Sequence, residues 1–167
     1  MRSHFLLFAC ASAMASSAVA DTKVAGSFDC DKPQLTYTIP VPDVEPGQTF
    51  VLEQRKCRWT KPWTIAGAAT TENTNVTFVE VTGPNASFIN VSVTTYANGD
   101  KTFVHSVDKS VPGGSTGKWT YTGGTGKLQG IKGQGISKCK AKSPEPGAEY
   151  TCDLTGSYKI VSPRKKT

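Results

Sequence analysis

This sequence is poor in the residue types and spacings that carry chemistry. It has two histidines in 167 residues, and only His105 lies beyond the first twenty. Its five cysteines form no Cys-x-x-Cys pair, so the common zinc spacing is missing. There is no Gly-x-Ser-x-Gly nucleophile elbow. No pair of carboxylates is marked out for glycoside hydrolysis, and no aromatic RNP-type motif points to specific nucleic-acid recognition. No window keeps a 3.6-residue apolar period, which argues against amphipathic helices. Beyond residue 20 no segment is apolar enough to span a bilayer. No metal and no cofactor is expected from this composition.

The first twenty residues have the makings of a secretory signal peptide. Arg2 supplies the positive end, Phe5 to Ala15 the apolar stretch, and Ala18-Val-Ala20 the small-residue cleavage site before Asp21. A membrane anchor fits less well, because the stretch is short and diluted by Ser12, Ser16 and Ser17. A lipoprotein site at Cys10 also fits poorly, since the apolar run before it is too short. Without residues 1–20 the chain has 147 residues, enough for one domain with a real core. Losing Arg2 leaves eighteen basic and thirteen acidic residues, a formal charge of +5. The expected exported form has no transmembrane anchor. Its four cysteines, Cys30, Cys57, Cys139 and Cys152, read as two disulfides.

Six glycines fall between residues 123 and 135. A phosphate loop needs a glycine at 121 and a Ser or Thr at 128, where Tyr121 and Leu128 stand. A dinucleotide fingerprint needs a glycine where Gln129 or Lys138 stands, and no helical pattern follows. The spacing instead predicts a turn at Gly123–Gly126 followed by a glycine-interrupted strand, as at a barrel corner.

Elsewhere, β-branched and aromatic runs alternate with turn signals. The pattern predicts strands at 34–39, 49–54, 58–66, 75–82, 87–96, 101–108, 117–122, 127–141 and 149–161. Turns are predicted at Pro42–Gly47, Gly83–Asn85, Asn98–Asp100, Pro112–Ser115 and Ser143–Gly147. Asn98-Gly99 predicts a type I′ hairpin, in which both central residues take positive φ. The fold expected is an all-β barrel or sandwich in one domain, residues 21–161, with a basic tail at 162–167.

The last two strands can be oriented. Tyr150, Cys152, Leu154, Gly156, Tyr158 and Ile160 share one face. In the preceding strand Lys132, Lys138, Lys140 and Lys142 share a face that must look to water, so Cys139 points inward. Cys139 and Cys152 lie symmetrically about the Glu145-Pro146 turn. A hairpin folded there sets them opposite each other, which predicts Cys139–Cys152 and leaves Cys30–Cys57. The inward face at Gly133, Gly135 and Ser137 is small. Close packing favours filling it with Trp119, Tyr121 or Tyr158. The alternative is a ligand cavity there.

The run Gly117-Lys-Trp-Thr-Tyr-Thr-Gly-Gly-Thr-Gly-Lys-Leu-Gln-Gly-Ile-Lys-Gly-Gln-Gly135 resembles the glycine signature of the allene oxide cyclase and dirigent-like barrels. With Cys57-Arg-Trp-Thr-Lys-Pro-Trp63, Ile65-Ala-Gly67 and Tyr96-Ala-Asn-Gly-Asp-Lys-Thr-Phe-Val104, the chain is more closely similar to a group of small exported bacterial proteins. The resemblance implies an antiparallel barrel of eight strands. It implies no activity, because the cyclases' acidic and asparagine motif has no match here.

Two residues are candidates for acid–base work. His105 shares a face with Phe103 and Val107. Glu53 faces water if Phe50 faces the core, and is a buried acid in the opposite register. Trp59 and Trp63 share a face. Core packing is expected for them, with an exposed aromatic platform as the alternative. The lysine face, joined by Arg164-Lys-Lys166, reads first as a solubility device and second as a contact for anionic envelope polymer. Asn75, Asn85 and Asn90 begin glycosylation triplets and are expected to stay unmodified. The leading expectation is an exported, non-enzymatic barrel holding a small apolar or aromatic molecule near Trp119, Tyr121, Gly133, Gly135 and Tyr158. The rival is a cyclase- or isomerase-type enzyme acting inside the barrel.

Overall fold

A computed structural model describes residues 21–39 and 48–161. The expected signal peptide at 1–20, the turn at Pro42–Gly47 and the basic tail at 162–167 lie outside the described residues. The strands are β1 (Thr22–Cys30), β2 (Leu35–Ile39), β3 (Gln48–Lys61), β4 (Thr64–Ile65), β5 (Ala68–Thr82), β6 (Asn85–Tyr96), β7 (Lys101–Val111), β8 (Gly114–Gly124), β9 (Ile131–Ala141) and β10 (Tyr150–Ile160). One 3₁₀ turn, Gly126–Leu128, joins β8 to β9. No helix among the described residues is long and apolar enough to cross a membrane.

Eight strands close into an antiparallel barrel. The order is β1, β10, β9, β8, β7, β6, β5, β3, and β3 returns to β1. The short strands β2 and β4 lie beside β3 and β5. Closure turns every central strand into a paired one, which manages the edge problem of an open sheet.

Both disulfides join residues that face each other across adjacent strands. Cys139 is opposite Cys152 and Cys30 is opposite Cys57. The hairpin about Glu145-Pro146 therefore has the register that the lysine face and the cysteine symmetry predicted.

Three local expectations differ. β1 had no counterpart in the sequence reading, because Val24, Gly26, Phe28 and Cys30 give only a broken apolar alternation. The range 49–54 and the first four residues of 58–66 are one strand, β3, which continues through Arg55, Lys56 and Cys57, while Thr64–Ile65 is the separate strand β4. At Asn98-Gly99 the hairpin forms, but only Gly99 has positive φ (83°). Gly99 N–H donates to Tyr96 O at 2.9 Å and Tyr96 N–H to Asp100 O at 2.9 Å. That is a three-residue loop with glycine in the left-handed position, not a type I′ turn.

The barrel interior has two unlike halves. The end closed by the 3₁₀ turn is filled by Ile65, Tyr96, Trp119, Tyr121, Leu128 and Ile131, all buried. Trp119 lies across Gly135 and Gly156, which face each other in the β9–β10 register. A Cβ at either glycine would run into the indole ring. These glycines therefore admit a large side chain from β8, as close packing predicted. The aromatic chain continues from Trp119 to Trp63 (ring centroids 5.7 Å apart), Trp59 (4.8 Å further) and Phe28 (5.4 Å). Core packing is thus where Trp59 and Trp63 sit.

The other half is walled by strands with inverted polarity. On β5, β6 and β7 the inward side chains include Asn73, Asn75, Thr77, Asn90, Ser92, Thr94, Ser106 and Asp108. Their outward neighbours include Val76, Ile89, Val91, Phe103 and Val107, which are exposed. Asparagine and aspartate are poor strand formers. Asn75, Asn90 and Asp108 are held here by hydrogen bonds across the wall.

Candidate functional site

The inverted half encloses a cavity of about 980 Å³. It is bordered by residues of the β5–β6, β7–β8 and β9–β10 connections at one end of the barrel, among them Pro84, Gly113 and Pro144. Its floor is Phe28, Trp59, Trp63 and Trp119. Val51, Val79, Phe88, Val104 and Leu154 add apolar wall.

The polar wall is one connected network. Ser92 Oγ donates to Asn75 Oδ1 at 2.8 Å, and Asn75 Nδ2 faces Thr77 Oγ1 (3.1 Å), Asn90 Oδ1 (3.2 Å) and the Tyr150 hydroxyl (3.4 Å). Thr77 Oγ1 donates to Asn90 Oδ1 at 2.7 Å. Asn90 Nδ2 donates to Ser106 Oγ at 3.0 Å and to Asp108 Oδ2 at 2.9 Å. Ser106 Oγ also donates to Asp108 Oδ2 at 2.9 Å, and Ser137 Oγ donates to Asp108 Oδ1. A connected buried network of this kind rigidifies the wall. Asn75 and Asn90 are occupied inside it, so a folded barrel presents neither to a glycosylating enzyme.

Glu53 and Arg55 form a second element. Glu53 accepts from Arg55 Nε at 3.1 Å and from its Nη2 at 2.8 Å. The remaining guanidinium nitrogen donates to the carbonyls of Asp31 (3.0 Å), Ala148 (2.9 Å) and Gly147 (3.4 Å). The Arg55 guanidinium also lies 5.3 Å from the centre of the Tyr150 ring. Burial pushes the Tyr150 phenol above its ordinary pKa, with Asn75 and Arg55 opposing.

Floor atoms have hydrogen-bonding capacity to spare. Trp59 Nε1, Trp63 Nε1 and Asn73 Oδ1 are buried without a partner among the described residues. Trp119 Nε1 is satisfied by Ile136 O at 3.2 Å. Below the floor the Tyr96 and Tyr121 phenols are unpartnered too, and burial raises the pKa of both.

These two phenols predict alkaline behaviour. Below pH of about 10 both folded and unfolded chains keep the protons. Above it the unfolded chain releases these two protons and that of the buried Tyr150, all of which the barrel retains, so stability falls by about 4 kcal/mol per pH unit. A spectrophotometric titration should show these three tyrosines ionising together with cooperative unfolding. Ionisation of all five tyrosines with the fold intact would contradict it.

The residues singled out from sequence are placed as follows. Trp119 borders the cavity. Tyr121, Gly133, Gly135 and Tyr158 are not among the cavity residues and belong to the filled half. Glu53 borders the cavity, so the register that sends it to water does not hold. The reason is that Phe50 and Phe78 stack outside the barrel, with ring centroids 5.7 Å apart, while Val51, Glu53 and Arg55 turn inward. His105 is exposed on the outer face beside Phe103 and Val107. Lys132, Lys138 and Lys140 are also exposed outside. Lys142 is engaged by Asp29 (3.2 Å) and Glu149 (3.5 Å). Asp29 lies below the usual carboxylate range because Thr151 donates to it, with Lys142 assisting.

Sequence reasoning missed Asp108, Asn90, Asn75 and Ser106. Their signal was a polar alternation on the far side of strands whose apolar alternation drew attention outward. Gly117 is a second signal, since it pairs with Asp108 and a Cβ there would fall 2.5 Å from Asp108 Oδ1.

No protein-family model and no curated protein sequence matches this chain. Solved structures do. The pterocarpan synthase dirigent protein GePTS1 superposes with a TM-score of 0.54 at 13% identity, over 89% of this chain and 92% of that one. The pterocarpan synthase dirigent protein PsPTS1 gives 0.54 at 10% identity, over 86% and 97%. A DUF3224-family protein of unknown function from Shewanella oneidensis MR-1 gives 0.50 at 13% identity, over 85% and 100%. At such identities the likeness is one of fold: the chain has the barrel of the dirigent-like proteins.

Proposed function

We propose that this chain is an exported, non-enzymatic barrel protein that holds one small molecule in the open half of its barrel. The observation that carries the reading is the cavity of about 980 Å³, floored by tryptophans and walled by a closed hydrogen-bond network. Ligand sites are typically apolar clefts of about 300–1,000 Å³ with a few placed polar groups. Here the polar groups are fixed before any guest arrives, held by the hydrogen bonds among Asn75, Thr77, Asn90, Ser106 and Asp108. Export is supported by two disulfides, which persist in oxidising compartments, and by the leader-like residues 1–20.

Catalysis inside the barrel is a second reading, favoured by one observation: Asp108 is a buried acid bordering the cavity. Glu53 is a weaker choice, because its oxygen already serves Arg55.

Native mass spectrometry tests the main reading on protein secreted through its own leader and purified without denaturant. The expected result is a discrete adduct of a few hundred daltons whose mass is unchanged after incubation. A bare chain that also fails to take up any of a panel of small aromatics would overturn it. An adduct converted to a different mass would favour catalysis.

A further inference from the structure

The charges within the cavity do not balance. Arg55 pairs with Glu53 at 2.8 Å. Lys142, at the rim, is engaged with Asp29 and Glu149. Asp108 is 4% exposed and has no basic partner among the described residues. Its three hydrogen bonds come from Asn90, Ser106 and Ser137, all neutral donors. The deep cavity therefore has one uncompensated carboxylate inside a protein of net positive charge. A buried charge normally has a partner of opposite sign.

Two further observations point to what that partner is. Asp108 pairs with Gly117, and Trp119 follows two residues on along the same face of β8. That places an indole about 7 Å along the strand from the carboxylate level. Trp63 is next to Trp119, and Trp59 next to Trp63. Tryptophan faces attract organic cations more strongly than other aromatic faces do. A carboxylate and tryptophan faces together suit a nitrogen cation with N–H groups and an apolar body.

We propose that the cavity selects a small organic cation, a protonated amine on an aromatic or alkyl body, with its nitrogen at Asp108 and its body on the tryptophan floor. This rests on the reading of the cavity as a ligand site and adds the charge of the ligand. A neutral or anionic guest of the same shape leaves the carboxylate uncompensated.

The test is titration calorimetry with three matched probes: 2-phenylethylamine, 2-phenylethanol and 3-phenylpropionate, at pH 7 and low salt. The amine is expected to bind at least tenfold more tightly than the alcohol, and the carboxylate not measurably. Asp108→Asn is expected to bring the amine-to-alcohol ratio close to unity. The comparison on the unaltered protein needs no variant, so a poorly folded Asp108→Asn does not decide the matter. Equal affinity for amine and alcohol would overturn the cation proposal and leave the ligand-site reading standing. Preference for the carboxylate would overturn it as well. Failure of all three probes, with an adduct seen by native mass spectrometry, would overturn the cation proposal alone. Failure of all three with a bare chain would remove both.

Discussion

Cys30→Ala/Cys57→Ala is expected to destabilise the barrel by about 3.5 kcal/mol, more than Cys139→Ala/Cys152→Ala at about 3 kcal/mol. The loop closed by Cys30–Cys57 spans 27 residues, against 13 for Cys139–Cys152. Loop length alone gives only this small difference, but the surroundings widen it. Cys139–Cys152 staples a hairpin that already has eleven cross-strand pairs. Cys30–Cys57 lies where β1 meets β3, a seam of only four pairs broken by a bulge between Ser27 and Phe28. That seam closes the barrel. Loss of the bridge there is expected to let β1 leave β3 and open the barrel beside the floor residues Phe28 and Trp59. Urea unfolding of the two double variants measures both values. An equal or larger loss for the hairpin bridge would contradict this account of the seam. Full reduction removes about 6.5 kcal/mol in all, comparable to the total stability of many domains.

Arg55→Met is the second large effect, expected at about 3–5 kcal/mol, or roughly 10 °C in Tm. The substitution leaves the Glu53 carboxylate inside the barrel with no cation. It also removes donors from the carbonyls of Asp31, Gly147 and Ala148. Those carbonyls belong to the corner after β1 and the β9–β10 connection, so Arg55 ties two rim segments to the wall. Glu53→Gln/Arg55→Met is expected to recover a good part of the loss, because no charge is left buried alone. A single-variant loss below about 1 kcal/mol would show that the ion pair is not a latch.

The fold was more legible than the site, for a physical reason visible in particular strands. In β9 and β10 the usual rule holds: lysines point out and Cys139, Cys152 and Leu154 point in, so register and disulfide pairing followed from alternation. In β7 the rule is inverted. Phe103 and Val107 point out, while Thr102, Ser106 and Asp108 point in. The same inversion in β3 turned Glu53 inward. Alternation tells which residues share a face but not which face is the core when the interior is itself polar. The inversion is therefore the trace of the cavity in the sequence. Only closure of the barrel around it shows which side is enclosed. β1 was illegible for another reason. Gly26 has no side chain because Trp59 and the Lys61 carbonyl come so close, and that contact is made by a strand more than thirty residues away.

The tryptophan floor has an optical consequence. The chain has three tryptophans, and all three border the cavity. Their rings stand 4.8 and 5.7 Å apart in sequence from Trp59 through Trp63 to Trp119. At such spacing excitation absorbed by one indole passes to the others, so the three emit as a coupled set. No tryptophan elsewhere in the chain dilutes their signal. The ultraviolet fluorescence of the whole protein is in effect the fluorescence of the cavity floor, and the barrel carries its own reporter for whatever comes to rest on it.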